Sequence, residues 1–124
     1  MQNVIAITQT CCYIVMRFDA QLLPRALELL LSASGPIHVK HGCRASRVES
    51  DLSDPAVVRY TEEWENNEAF KRNVQSTDFW RILLAMDLCA EEPQVHMGTF
   101  TGHTGIELLS NMRRGAGEPG SDLN

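Results

Sequence analysis

Read as an extended strand, the segment YTEEW puts Tyr60, Glu62 and Trp64 on one face, so that a carboxylate stands between a phenol and an indole. Among aromatics, such a carboxylate has a raised pKa and could accept a phenolic proton. The competing reading is an ion pair with Arg44 or Arg59, because buried carboxylates are usually paired. Trp64 ends its strand where a cavity mouth would lie and could stack on a flat molecule; Trp80 is expected as an ordinary core aromatic. His41 and Cys43 project to one side of the second strand, and His96 on the fourth could join them as a three-ligand metal site. That spacing is not diagnostic and there is no H-E-x-x-H pair, so no metal is expected. His41 or His96 could instead serve as a base. On the first strand Tyr13 shares a face with Arg17, an arrangement that could either hold a ligand oxygen or pack an interface beneath a snorkelling Arg. The cysteines, Cys11, Cys12, Cys43 and Cys89, contain no C-x-x-C pair. They read as reduced, buried thiols of a cytoplasmic protein, with a Cys43–Cys89 bridge as the rival.

The elements that must position these groups are legible in the hydrophobic pattern. Residues 10–18 are almost continuously apolar and β-rich, a first strand. Leu22, Leu23, Ala26, Leu29, Leu30 and Ala33 recur at helical steps over residues 21–34. Asp19 is the expected N-cap, Pro24 fits the first turn, and Gly35-Pro36 is expected to end the helix. Residues 37–48 alternate, with Ile37, Val39, His41, Cys43 and Ala45 on one face and His38, Lys40, Arg44 and Ser46 on the other. A DLSDP turn joins them to a third strand over residues 56–64, giving a hairpin. Asn66 caps a long helix running to about residue 90, with Phe70, Val74, Trp80, Leu83, Leu84 and Leu88 on its apolar side. Residues 93–101 form a fourth strand. Residues 106–112 are a short amphipathic piece, and a Gly/Pro/Ser-rich tail follows.

The order βαββαβ predicts a ferredoxin-like α+β domain over residues 10–101, a four-stranded antiparallel sheet with both helices on one face. Residues 102–124 are then a C-terminal extension, a short helix or strap followed by a flexible tail. Cys12, Ile14, Met16 and Phe18 oppose Cys11, Tyr13 and Val15 across the first strand, and two helices can cover only one of those sets. A second copy of the chain is the expected cover, which makes the protein a homodimer. Composition excludes other classes. The chain has 124 residues, 44% of them hydrophobic, and a net charge of −5 with Arg113-Arg114 as its densest basic spot, which argues against nucleic acid. The longest apolar run, residues 27–33, is interrupted by Glu28 and Ser32 and falls far short of a membrane span. No signal peptide is expected in residues 1–10.

Gly42-Cys43, Asp54-Pro55, Glu62-Glu63-Trp64 and Glu68-Ala69-Phe70 occur in order, and the stretch GCRASRVESDLSDPAVVRYTEEWENNEAFKRNVQSTDF resembles the antibiotic biosynthesis monooxygenase domain. The resemblance covers about 40 residues, and the order of elements extends it to residue 101. It implies a dimeric α/β barrel with a cavity between sheet and helices, and a cofactor-independent monooxygenase acting on a small aromatic or quinol-type molecule. Many members of that family carry a His five residues after the acidic position of the acidic-Ala pair; here that position is Asn73. Asn can orient a substrate oxygen but cannot act as a base near neutral pH, which leaves a non-catalytic binding or sensing dimer as the alternative. The haem-degrading branch is disfavoured because residues 66–90 contain no His. On this reading Asn73, Glu62 and Trp64 carry the chemistry, Tyr13, Tyr60, Phe70 and Phe79 bind the substrate, and no cofactor is needed.

Overall fold

The computed structural model describes residues 7–102 and 105–116. Its elements are β1 (Ile7–Arg17), α1 (Leu23–His38), β2 (Cys43–Ser50), β3 (Val57–Trp64), α2 (Asn67–Val74), α3 (Thr77–Asp87), β4 (Gln94–Gly102) and α4 (Gly105–Arg114). The strands form one sheet in the order β2-β3-β1-β4, with β1 and β2 each antiparallel to β3. This is the ferredoxin-like α+β arrangement expected from the sequence. Residues 9–100 form one compact unit. Outside it α4 is a short amphipathic helix whose side chains are all exposed, Ile106, Leu109 and Met112 included. Residues 117–124 of the expected tail lie outside the described residues. No helix among the described residues is long and apolar enough to cross a membrane.

The core lies between the inner face of the sheet and the helices. Cys12, Ile14 and Met16 of β1 and Val58, Tyr60 and Trp64 of β3 meet Ala26, Leu30, Ala33 and Ile37 of α1 and Phe79, Ile82 and Ala85 of α3, all buried. Strict alternation along β3 produces this, since Val58, Tyr60, Glu62 and Trp64 all point inward.

Several expectations are corrected. Gly35-Pro36 does not end α1, which runs on to His38 with Pro36 inside it. A helical proline leaves the carbonyl four residues back without its N–H donor. Here that carbonyl belongs to Ser32 and accepts a hydrogen bond from Arg81 Nη1 of α3 at 3.3 Å. Continuing the helix also buries Ile37 on the stripe of Ala26, Leu30 and Ala33. The expected strand from residue 37 therefore begins only at Cys43, and a register shift between Cys43 and Ala45 sets Ala45 opposite Glu63 on the outer face and Ser46 opposite Glu62 on the inner one, both buried. At the other end, α1 is capped by Leu22 without a side-chain bond, and Asp19 contributes its carbonyl oxygen to the amides of Leu22 and Leu23. The long helix is two helices. Asn66 caps α2 as expected, accepting from the amide of Ala69 at 2.9 Å, but Ser76 caps a new helix by accepting from the amide of Phe79. Trp80 is not a core residue: it is 58% exposed.

The outer face of the sheet is apolar only in part. Tyr13 of β1 stacks on His96 of β4 with ring centroids 4.5 Å apart, and Phe100 is 61% exposed. On β2 and β3 the same face carries Arg47, Glu63 and Arg59, with Arg47 and Glu63 3.4 Å apart as an ion pair. The expected apolar second face is thus confined to β1 and its β4 neighbour.

The α1–β2 turn presses on α2 at Gly42, whose φ is +87° and where a Cβ would stand 3.0 Å from the Cβ of Ala69. Gly42→Ala is expected to lower stability by about 1–3 kcal/mol. The measurement is a urea midpoint at unchanged m-value; an unmoved midpoint would mean that the turn has slack.

Candidate functional site

Glu62 has no exposed surface. Its Oε2 accepts a hydrogen bond from the Tyr60 hydroxyl at 2.6 Å, and its Oε1 accepts from Trp64 Nε1 at 2.7 Å and Asn73 Nδ2 at 3.0 Å. β3 supplies the phenol and the indole, and α2 supplies the amide. The orientation of that amide follows from its other neighbour. Lys40 Nζ stands 2.8 Å from Asn73 Oδ1, and an ammonium can only donate, so the NH2 group must face Glu62. Lys40 also donates to Ser76 Oγ at 3.0 Å and pairs with Asp78 at 3.1 Å. The sequence's three catalytic candidates, Asn73, Glu62 and Trp64, therefore meet in one network, together with Tyr60.

Burial pushes the Glu62 carboxyl above the usual carboxylate range, against the pull of its three donors and the charge of Lys40. The Tyr60 hydroxyl is held well above its ordinary range by burial and by the neighbouring carboxylate. The ion pair considered for Glu62 does not form: Arg59 pairs with Asp51 at 3.1 Å, and Arg44 donates to Gln9 at 3.2 Å. Beyond Tyr60 the polar row continues through Ser46 Oγ at 2.8 Å and Ser34 Oγ at 3.0 Å, and Ser34 can donate to the Ser46 carbonyl at 3.1 Å. Each hydroxyl can donate in either direction, so the row accepts Glu62 with or without a proton by reversing together. Every buried side-chain nitrogen and oxygen among the described residues has a partner.

Two cavities flank α2. The first, of about 320 Å³, is apolar and lies between the sheet and the helix pair. Cys12 and Ile14 form its floor, Phe70, Phe79, Leu83 and Met86 its walls, and Val95 and Met97 of β4 its side; Lys71 is its one charged lining residue. The second, of about 360 Å³, is lined by Lys40, His41, Trp64, Ala69, Arg72 and Asn73. The single cavity expected to combine Trp64, Asn73, Phe70 and Phe79 is thus divided, with Phe70 and Phe79 on one side of α2 and Trp64 and Asn73 on the other. Tyr60 and Glu62 line neither cavity. Tyr13 pairs with Thr61 in register and therefore faces away from Tyr60 and both cavities. Arg17 is engaged with Asp54 at 2.9 Å and Glu91 at 3.3 Å.

His41 and Cys43 lie at the β2 edge of the sheet and His96 on β4 at the opposite edge, so the metal set considered from sequence is not assembled. Among the described residues no group of His, Cys, Asp and Glu is placed to hold a metal ion. All four thiols are free. Cys12 lies directly opposite Glu62 in register, and burial, helped by that carboxylate, pushes its pKa up to about 12. It is an inert wall residue.

The sequence reading missed Lys40, Ser76 and the Ser34–Ser46 pair. The Ser-Thr-Asp run at residues 76–78 was the available signal for the helix restart. Nothing local marks Lys40, whose partners lie more than thirty residues away.

No protein-family model matches the sequence, and no curated protein matches it. Solved structures do. A conserved protein from Methanosarcina mazei superposes with a TM-score of 0.69 at 16% identity, covering 74% of this chain and 92% of that one. A structure described as an antibiotic biosynthesis monooxygenase matches with a TM-score of 0.65 at 16% identity, covering 72% and 95%. A proposed antibiotic biosynthesis monooxygenase from Nitrosomonas europaea matches with a TM-score of 0.66 at 9% identity, again covering 72% and 95%. The chain therefore has the fold of the antibiotic biosynthesis monooxygenase structures.

Proposed function

We propose that the domain holds a small, flat, electron-rich aromatic molecule of the hydroquinone type in the apolar chamber under α2 and α3, and oxidises it with molecular oxygen without metal or flavin. The observation that carries this reading is the chamber itself. It is about 320 Å³, within the range of small-ligand sites, and walled by aromatic and aliphatic side chains. The likeness of fold to structures described as monooxygenases supports the reaction class. In such chemistry a substrate anion gives an electron to oxygen; recombination leaves one oxygen atom on the ring, and the other departs in water. The protein's part is to desolvate, to orient and to dispose of a proton.

A second reading, binding without turnover, is favoured by one observation. Asn73 cannot take a proton, and Glu62 does not line the chamber and has both its oxygens already accepting hydrogen bonds. In either reading a homodimer would use the outer stripe of Tyr13, His96 and Phe100 as its interface.

Aerobic incubation with a panel of benzo- and naphthohydroquinones tests both readings. A ligand present well above its dissociation constant is expected to raise the melting temperature by several degrees. Enzymatic turnover adds stoichiometric oxygen uptake. Leu83→Trp, which fills the chamber from a half-exposed position, is expected to abolish both effects. A thermal shift without oxygen uptake selects the binding reading, and neither effect with any member of the panel would sink the chamber as a ligand site.

Glu62 yields a second test. Its folded-state pKa lies above its unfolded one, so its contribution to stability is full below the unfolded value near pH 4 and is lost as pH rises through the folded value. Glu62→Gln mimics the protonated form: the amide oxygen accepts from Trp64 and Asn73, and its NH2 donates to Tyr60, which turns toward Ser46. The variant's stability relative to the parent is therefore expected to improve as pH rises from about 4 and to level off once pH passes the folded-state pKa of Glu62. Glu62→Ala strands three donors and is expected to cost about 3 kcal/mol or more at neutral pH. A Gln variant whose stability difference from the parent does not change with pH would show that folding leaves the Glu62 pKa at its unfolded value.

A further inference from the structure

Tyr60 and Trp64 are a buried phenol and a buried indole, and both donate to one carboxylate, that of Glu62. The chain's other tyrosine and tryptophan, Tyr13 and Trp80, are exposed. A phenol gives up an electron readily only when its proton leaves with it, because the oxidised phenol is a very strong acid. The acceptor must then already stand at hydrogen-bond distance. Glu62 Oε2 stands 2.6 Å from the Tyr60 hydroxyl, while the other two donors sit on Oε1. Burial, which disfavours the ionised carboxyl, makes Glu62 a ready proton acceptor. Moving that proton leaves every partner in place. Protonated Oε2 donates back to the phenoxyl oxygen, and Oε1 keeps Trp64 and Asn73. Ser46 Oγ, 2.8 Å away, donates to the same phenoxyl oxygen, with Ser34 Oγ behind it at 3.0 Å. The hydrogen-bond set is complete before and after, with no heavy atom displaced. The pair also stands beside the apolar chamber. In the β1–β3 register Tyr60 pairs with Ile14 and Glu62 with Cys12, and Ile14 and Cys12 both line that chamber. Residues paired across antiparallel strands lie about 5 Å apart between Cα atoms.

We propose that Tyr60 and Glu62 form a one-electron redox site, in which Tyr60 gives an electron to an oxidising radical and its proton to Glu62. The phenol and the carboxylate become a phenoxyl radical and a carboxylic acid, and the oxidant is reduced by one electron. The choice of oxidant rests on the chamber reading above: it is an organic peroxyl radical formed there from substrate and oxygen. It leaves as the peroxide anion and takes its proton from water. A further hydroquinone restores the pair by losing an electron to the phenoxyl radical and a proton to water, while the proton on Glu62 returns along the 2.6 Å bond. The site thereby quenches a radical from one strand away before it attacks the chamber wall, where Cys12, Met86 and Met97 offer oxidisable sulfur.

Tyr13→Phe leaves Tyr60 as the chain's only phenol. A photogenerated ruthenium(III) polypyridyl complex serves as the one-electron oxidant and needs no ligand in the chamber. The experiment is run above the pH at which the Glu62→Gln comparison levels off, so that Glu62 starts ionised. In the Tyr13→Phe protein a flash is expected to give the paramagnetic resonance signal of a tyrosyl radical, and with it an infrared band from a newly protonated carboxyl. Tyr60→Phe in the same background removes both. Glu62→Gln keeps a hydrogen bond to Tyr60 but cannot take the proton, so it is expected to remove the carboxyl band and to slow radical formation about tenfold or more. A merely structural hydrogen bond would give no such band. The band is read on a protein that retains Glu62, so the outcome does not hang on the folding of the Gln variant. The proposal is overturned if oxidation stays on tryptophan alone, if the tyrosyl signal rises without the carboxyl band, or if Glu62→Gln forms the radical as fast as its parent. Failure of the hydroquinone experiments would remove the peroxyl radical as the oxidant and leave these signals unchanged, and a missing carboxyl band would leave the chamber reading standing.

Discussion

A carboxylate taken out of water costs several kcal/mol unless its lone pairs are met by donors, and much of this domain's layout is the arrangement that meets those of Glu62. The donors come from the sheet and from α2, and the amide from α2 is itself held by Lys40, in the turn between α1 and β2. Lys40 in turn rests on Ser76 and Asp78 at the start of α3. A single buried charge thereby ties together the α1–β2 turn, β3, α2 and α3. The ties are directional, since each of these elements must present one particular atom. Hydrophobic burial holds the layers together, and this polar chain fixes how α2 sits on the sheet.

The break between α2 and α3 belongs to the same arrangement. One continuous helix over residues 66–90 would carry no N-cap at residue 76, and Lys40 would lose a partner there. With the break, α2 is a short rod whose two sides face different cavities, Phe70, Lys71 and Val74 lining the apolar one and Ala69, Arg72 and Asn73 the basic one. The sheet–helix space is thus divided into an apolar and a charged compartment by the two faces of α2.

These facts also mark what local sequence could reveal. The inward face of β3, the hairpin and the Asn66 cap depend on neighbours in the chain, and all three were legible. Gly35-Pro36 misled because its cost is offset from a distance, by burial of Ile37 and by Arg81, which reaches the carbonyl of Ser32 across 49 residues. The extra residue near Cys43 inverted an alternation that otherwise read cleanly. Lys40 read as a strand residue on the face opposite His41 and Cys43 because nothing near it in sequence foretells that its ammonium binds Asn73 of α2. The grouping of Asn73 with Glu62 and Trp64 came from the resemblance to a known family, and the division of the aromatics between two cavities came from neither source.

Asn73 bridges an ammonium and a carboxylate, its carbonyl oxygen toward Lys40 and its NH2 toward Glu62. A neutral imidazole could make the same bridge, lone pair to one side and N–H to the other, and it could also take up a proton near neutral pH. An amide keeps the bridge and discards the proton chemistry. At a position where the resembled family often carries His, this chain retains the electrostatic link between Lys40 and Glu62 without an exchangeable proton in it. The remaining route for a proton from Glu62 runs the other way, along Tyr60, Ser46 and Ser34. Neither Asn73, which cannot take a proton, nor Glu62, whose oxygens are both occupied and which does not line the apolar chamber, therefore offers that chamber a free base.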